Sequence, residues 1–225
     1  MKPYTAWFIS GTDTEIGKTW TTLALLRYLQ QSQTVIAMKP IASGCIPTAQ
    51  GLRNDDALLL QQANHIACDY QQLNPYTFIP PIAPHLAAQQ SQQQIDLDVI
   101  KHAYLQLQQK AQRILIEGVG GWRVPLSAAH SLTDLVHHLE ADVILVVGLK
   151  LGCINHTLLS ATCIQADGHH LIGWIANHLH ANTDQQAVID SIAQRIGVPL
   201  LGEVPYEPQH SQLEFIPTQA IIALI

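Results

Sequence analysis

Thr5-Ala6-Trp7-Phe8-Ile9-Ser10 runs directly into Gly11-Thr12-Asp13-Thr14-Glu15-Ile16-Gly17-Lys18-Thr19, and this stretch decides the fold. Thr5 to Ser10 reads as a short apolar strand, the glycine-bounded segment as a loop, and Lys18 to Gln31 as a helix. That order makes a cradle for an anion. Backbone N–H groups at a helix N-terminus point at it, and the helix dipole favours negative charge there. Gly17 lets the backbone come close to a phosphate, Lys18 brings a point charge to its outer oxygens, and the Thr19 hydroxyl can ligate Mg²⁺. The usual phosphate loop has four residues between its glycines. Here five separate Gly11 from Gly17, so Thr12 stands where the first glycine is expected.

Working outward, short aliphatic runs alternate with helical segments. Strands are expected at Val35 to Met38, Arg113 to Glu117, Asp142 to Gly148, Leu171 to Ala176 and Leu200 to Val204. Helices are expected at Asp55 to Asn64, where Leu58, Leu59 and Leu60 give apolar cover, and at Asp96 to Gln112, Ile154 to Ala166 and Asp184 to Ile196. Strands apolar at successive positions, such as Val143 to Val147, are buried on both faces. The alternation predicts right-handed crossovers and an α/β fold: a mostly parallel central sheet flanked by helices on both faces, P-loop NTPase-like. Residues 1–225 read as one domain without repeat or linker. Asn74 to Pro84, with four prolines, reads as an ordered surface loop. Ligands of such sheets sit at the carboxyl ends of the strands.

Composition narrows the function classes. The 225 residues are 48% hydrophobic and 12% charged, which excludes a disordered chain. The net charge is −6, and a nucleic-acid binder would carry a basic surface instead. Glutamine clusters at Gln89-Gln90 and Gln92 to Gln94 read as polar helix faces and loops. Cys45, Cys68, Cys153 and Cys163 form no C-x-x-C pair and read as free thiols. No apolar run approaches the ~20 residues that span a bilayer, and Met1 to Ser10 has no cleavage-site pattern. The expectation is a cytoplasmic protein that binds neither membrane nor nucleic acid.

Three further positions carry candidate chemistry. Lys39 follows the second strand, which the usual strand order would set beside the first, so Lys39 would face the phosphate loop. Asp55 and Asp56 open a helix, where acids complement the dipole or ligate Mg²⁺. Glu117 ends a buried strand and precedes Gly118-Val119-Gly120-Gly121. An acid there is the Walker-B arrangement, able to hold Mg²⁺ directly or through water. The twelve histidines include the pairs His137-His138 and His169-His170, and none has zinc-site spacing. Ser127, Ser160 and Thr133 lack a nucleophile elbow.

Seven stretches together resemble the dethiobiotin synthetases. They are Gly11 to Thr19, Lys39-Pro40-Ile41-Ala42-Ser43-Gly44, Gly51 to Ala57, Asn74 to Phe78, Glu117 to Trp122, Val146 to His156 and Leu200 to Pro205. The resemblance implies ATP-dependent closure of a ureido ring on 7,8-diaminononanoate with CO₂, giving dethiobiotin, ADP and phosphate through a carbamate and a carbamic–phosphoric anhydride. It implies catalytic roles for Lys39, Lys18 and Thr14, with Mg²⁺ held by Thr19, Asp56 and Glu117. Nucleotide contacts would come from Thr14, Glu15, Ile16, Gly17, Lys18, Thr19, Asp56, Glu117, Gly118, Gly120, Asn177, Pro205 and Tyr206. Substrate contacts would come from Ser43 and, across the interface of a homodimer, from Gly152, Cys153, Ile154 and Asn155. Three positions depart from the pattern: Val119 where alanine is expected, Asp55 where serine is frequent, and His178 where an acid is expected. Beyond Tyr206 little of the pattern remains.

A P-loop switch or partitioning ATPase shares the loop and the sheet, and fold alone does not separate it from a synthetase. Lys39-Pro40 with Ser43, and the Gly152 to Asn155 turn, favour a small-substrate pocket. A lidded kinase is disfavoured because arginines occur only singly, and a non-catalytic nucleotide-binding subunit because the acids and lysines are all in place.

Overall fold

The computed structural model describes residues 5–181, 184–209 and 213–225. Met1 to Tyr4, part of the N-terminal stretch read for a leader, lie outside the described residues. In chain order the elements are β1 (Thr5–Gly11), α1 (Lys18–Leu29), β2 (Val35–Met38), β3 (Ile41–Ser43), β4 (Ile46–Thr48), β5 (Gly51–Arg53), α2 (Asp55–Ala63), α3 (Tyr70–Leu73), β6 (Tyr76–Phe78), α4 (Pro84–Gln90), α5 (Leu97–Gln108), β7 (Arg113–Glu117), α6 (Leu132–His138), β8 (Asp142–Leu149), α7 (Cys153–Ala166), β9 (Leu171–His178), α8 (Gln186–Ile196), β10 (Leu200–Val204), β11 (Ile216–Pro217) and α9 (Gln219–Ile222).

The main sheet has the order β11-β10-β9-β8-β1-β7-β2. Its pairings are parallel except at the edge, where β11 runs against β10. Alternate residues of each central strand serve opposite faces. Ala6 and Phe8 join one apolar layer with Ile114, Ile116, Val143, Leu145 and Val147, covered mainly by α5, α6, α7 and α8. Trp7 and Ile9 join the other with Leu115, Ile144 and Val146, covered by α1, Leu60 of α2 and Ile221 of α9. Two-sided burial is why these strands lack polar alternation. Among the described residues no helix is long and apolar enough to cross a membrane, and the four cysteines are free thiols.

The structure corrects several expectations. β2 does not lie beside β1: β7 intervenes, pairing with both. Lys39 therefore follows the strand next to the acid-bearing one, and reaches the phosphate loop's neighbourhood through Glu117. Asn74 to Pro84 is not simply a surface loop. Tyr76 and Phe78 are buried, β6 pairs in parallel with β3, and α4 begins at Pro84. Of the three leucines of α2 only Leu60 is fully buried, Leu58 and Leu59 being partly exposed. Helix ends are shorter than the apolar pattern suggested, α1 stopping at Leu29 and α5 at Gln108, whereas β9 continues through Asn177 to His178.

Local chemistry explains the ends that matter. Gly17 caps α1 in the left-handed region, φ 79°, which glycine adopts without steric cost. The Asn54 side chain caps α2 by accepting from the Ala57 N–H, and Asp55 and Asp56 complement the positive end of its dipole.

Leu26 on α1 is fully buried against the sheet. Leu26→Ala is expected to cost about 2–5 kcal/mol, read in urea as a lower midpoint with an unchanged slope. A loss below about 1 kcal/mol would contradict tight packing of α1.

Candidate active site

The carboxyl ends of β1, β2, β7, β9 and β10 open onto one cleft of about 920 Å³. Glycines let the segments around it approach closely. Gly118 follows β7 where a β-carbon would meet Phe8 at 2.9 Å, and Gly11 ends β1 where one would meet the Lys18 side chain at 2.9 Å. Any side chain at Gly17 would strike the Asn177 amide. That amide donates to the Ile16 carbonyl (2.8 Å), so β9 pins the phosphate loop from one side. Lys150, at the end of β8, pins it from another by pairing with Asp13 (3.1 Å). The Lys150 hydrogen bond, with one from the Thr14 N–H, holds the Asp13 carboxyl below its usual range.

Lys18 lies 8% exposed, its Nζ donating to the Asp13 carbonyl (2.8 Å). Burial pulls its ammonium down to about 8, a pull that Glu117 opposes and Lys39 reinforces. Beside it is a carboxylate buried at the carboxyl end of β7. Glu117 Oε1 accepts from the Thr19 hydroxyl (2.8 Å) and from Lys39 Nζ (2.5 Å). Lys39 Nζ also pairs with Asp56 Oδ2 at 3.2 Å. Burial alone would lower the Lys39 ammonium, but Glu117 and Asp56 outweigh it and hold the group above its ordinary value. Three ionisable side chains and a hydroxyl thus meet where α1, α2, β7 and the end of β2 converge.

Among the described residues of the cleft, three buried oxygens have no hydrogen-bond partner: Glu117 Oε2, Ser43 Oγ and Glu207 Oε2. An unpaired carboxylate oxygen is costly in the interior unless something binds it. The nearby Thr19 hydroxyl and the rim carboxylate of Asp56 are hard oxygen donors of the kind Mg²⁺ takes, together with phosphate oxygens and water. Among the described residues no three His, Cys, Asp or Glu side chains converge as a metal cage. That composition fits a cation arriving with a nucleotide better than a resident ion.

The remaining candidates divide by location. Thr14, Glu15, Gly17, Gly118, Gly120, Asn177, Pro205 and Tyr206 line the same cleft, as do Lys18, Thr19, Lys39, Ser43, Asp56 and Glu117. Ile16 is different: its side chain is fully buried in the core, so only its backbone faces the loop. Gly152, Cys153, Ile154 and Asn155 do not line the cleft of this chain. They form the start of α7, with Cys153 in the core and Asn155 exposed beside the fully exposed Leu151. His178, read as a departure, pairs with Glu203 on the neighbouring strand (2.8 Å) and lines the cleft. Residues that sequence reasoning missed include Pro81 to Pro84, which form one cleft wall. The buried polar trio Asn54, Tyr70 and Asn74, behind Lys39, was missed too. For Asn54 a signal existed, an asparagine immediately before two acids at a helix start.

The AAA domain family matches residues 5–213. The dethiobiotin synthetase BioD of Vibrio vulnificus is 45% identical over 205 residues, covering 90% of each chain. That of Xanthomonas euvesicatoria is 46% identical over 205 residues, covering 90% of this chain and 92% of its own. Solved structures with the same fold include chloroplast FtsY from Physcomitrella patens (TM-score 0.58, 16% identity, 99% of this chain and 65% of that one). Another is MinD from Aquifex aeolicus (TM-score 0.57, 12% identity, 91% and 84%). At such identities the structural likeness speaks for the architecture alone, whereas the sequence likeness covers nine-tenths of the chain. The chain belongs to the dethiobiotin synthetase family.

Proposed function

We propose that this chain closes the ureido ring of dethiobiotin from 7,8-diaminononanoate, CO₂ and ATP, acting as a single domain within a homodimer. The observation that carries the reading is the buried convergence of Lys39, Glu117, Asp56 and Thr19 beside Lys18 at the mouth of one cleft.

The chemistry has an electrostatic obstacle. One amine takes up CO₂ and loses a proton, giving a carbamate. A carbamate oxygen must then attack the γ-phosphorus as the β,γ-bridging P–O bond breaks and ADP leaves. Both partners are anions. The second amine next attacks the carbonyl carbon of the anhydride, the C–O bond to the phosphoryl group breaks, and phosphate departs as the ring closes. Lys18 and Lys39 offset the charge that gathers along this path, Lys18 at the outer phosphates and Lys39 between carbamate and γ-phosphate. Thr14 and Glu15 lie on the rim over the reacting groups. Ser43 Oγ, unpaired and buried, is available to the substrate.

Charge counting supports a divalent cation in the cycle. The charged residues lining the cleft are Lys18 and Lys39 against Glu15, Asp56, Glu117 and Glu207, an acidic balance unsuited to a triphosphate. Thr19, Asp56 and Glu117 would hold Mg²⁺, which would neutralise phosphate charge when bound. Asn177, Pro205 and Tyr206, which line the cleft, would flank the base. The exposed α7 start, Gly152 to Asn155, would offer backbone N–H groups to the carboxylate of a substrate bound in the partner subunit.

Incubation with diaminononanoate, bicarbonate and MgATP is expected to release phosphate only when the diamine is present, with dethiobiotin formed. ATP hydrolysis indifferent to the diamine would overturn the reading. Lys39→Ala is expected to lower turnover by at least about 10²-fold while nucleotide still binds, and near-normal turnover would remove Lys39 from the reaction. Glu117→Gln is expected to raise the Mg²⁺ concentration needed for nucleotide binding, and an unchanged magnesium titration would take it out of the metal shell. Because phosphate raises the depressed Lys18 ammonium, ADP binding without metal near pH 8 is expected to take up about half a proton. The uptake would vanish near pH 6, where Lys18 is already charged. It is read from the dependence of calorimetric heat on buffer, and equal heats in all buffers at pH 8 would contradict it.

A further inference from the structure

Behind the cleft lies a hydrogen-bonded chain that the reaction as described does not use. Tyr70, on the short helix α3, is 7% exposed, Asn74 is 2% and Asn54 is 8%. The Asn54 backbone N–H donates to the Tyr70 hydroxyl (2.8 Å), and that hydroxyl donates to Asn74 Oδ1 (2.9 Å). Asn74 Nδ2 then donates to the carbonyl of Lys39 at 2.6 Å. The Asn54 side chain acts in two further directions. Its Oδ1 accepts from the Ala57 N–H (3.2 Å), fixing the first turn of α2, and its Nδ2 donates to the Ser43 carbonyl (3.3 Å).

We infer that Asn54, Tyr70 and Asn74 form a clamp, centred on the Tyr70 hydroxyl, that sets Lys39, Ser43 and Asp56 at fixed distances from one another. The inference rests on the functional reading above for what those three residues do, and deepens it by naming what positions them. Each is carried by a different element. Lys39 lies just past β2, Ser43 ends β3, which pairs with β6 outside the main sheet, and Asp56 sits in the first turn of α2. The sheet ladder alone does not fix their separation. The hydroxyl joins all three because it donates once and accepts once, so the chain has a single direction, and buried bonds in series strengthen one another. Geometry of this kind matters at about the 0.5 Å level, the tolerance within which a reacting constellation must be held. Packing alone would be met by apolar side chains. A phenol and two amides here instead bring the cost of burying polar groups, which directional bonding offsets.

Tyr70, Asn54 and Asn74 are positioning residues, and three variants test them. Tyr70→Phe deletes the central oxygen and keeps the ring on which the Arg53 guanidinium sits at 4.2 Å. Asn54→Ser keeps a good helix cap but removes the bond to Ser43. Tyr104→Phe is the control, deleting another buried hydroxyl on α5, bonded to Gln108 and outside the residues that line the cleft. Tyr70→Phe is expected to lower kcat by about tenfold and to raise the Mg²⁺ concentration for half-maximal nucleotide binding by about fivefold. Its affinity for metal-free ADP should stay within about twofold, because the phosphate loop is not part of the clamp. Asn54→Ser is expected to raise KM for the diamine by about fivefold with the Mg²⁺ requirement unchanged. A folded Tyr70→Phe with wild-type kcat and Mg²⁺ requirement would overturn the inference, as would Tyr104→Phe shifting the same constants equally. Should Tyr70→Phe fail to fold, wild-type KM in Asn54→Ser would overturn it. A wild-type protein that makes no dethiobiotin would instead sink the reaction assignment, and the calorimetric Mg²⁺ titration of nucleotide binding would still judge the clamp.

Discussion

The carboxylate of Glu117, buried at the carboxyl end of β7 between β1 and β2, organises everything around it. A lone ionised carboxylate in that setting would be prohibitively unfavourable. It persists because Thr19 and Lys39 bond to one of its oxygens from the strands' two flanks. Lys39 reaches on to Asp56. One acid therefore ties the start of α1, the end of β2 and the start of α2 into a single charged assembly, and its second oxygen has no hydrogen-bond partner among the described residues. Removing one partner of such a buried pair is far more damaging than replacing both with apolar groups.

The same sheet serves proteins of other kinds. FtsY and MinD have this architecture at 16% and 12% identity, so strand order and the phosphate loop do not by themselves assign a reaction. The reaction proposed for this chain turns on another part of the cleft lining. The β3–β6 pair presents Ser43, and the proline-bearing turn Pro81 to Pro84 closes that side. A conformational ATPase has no need of a walled pocket next to its γ-phosphate site. A synthetase that must hold a diamine against an anhydride does, because water there would discharge the intermediate.

Much of this was legible from sequence. Phosphate loop, acid-bearing strand and parallel sheet followed from Gly11 to Thr19, from Glu117 and from unalternating aliphatic runs such as Val143 to Val147. Those signals are local, and burial on both faces leaves a plain trace. Strand order was not legible. The expected adjacency of β1 and β2 failed because β7 inserts between them, a choice made by long-range pairing that no window of sequence records. Asn74 to Pro84 misled for a related reason: its prolines marked a loop, while its buried aromatics, Tyr76 and Phe78, pair with a strand of only three residues. The clamp was invisible because Tyr70 lies far along the chain from Lys39 and carries no spacing rule. His178 stands where an acid is expected, and the structure shows it paired with Glu203 of the adjacent strand, a partner no local pattern marks.

At the centre of the account is the claim that positive groups let a carbamate oxygen reach the γ-phosphorus. Isotope tracing tests this most directly. With ¹⁸O-labelled bicarbonate, rapidly converted to labelled CO₂ and trapped before exchange with water, one labelled oxygen is expected in each inorganic phosphate released, because the attacking carbamate oxygen leaves on phosphorus when the ring closes. Phosphate formed alongside dethiobiotin but free of label would mean that water, not carbamate, takes the phosphoryl group, and would contradict the account.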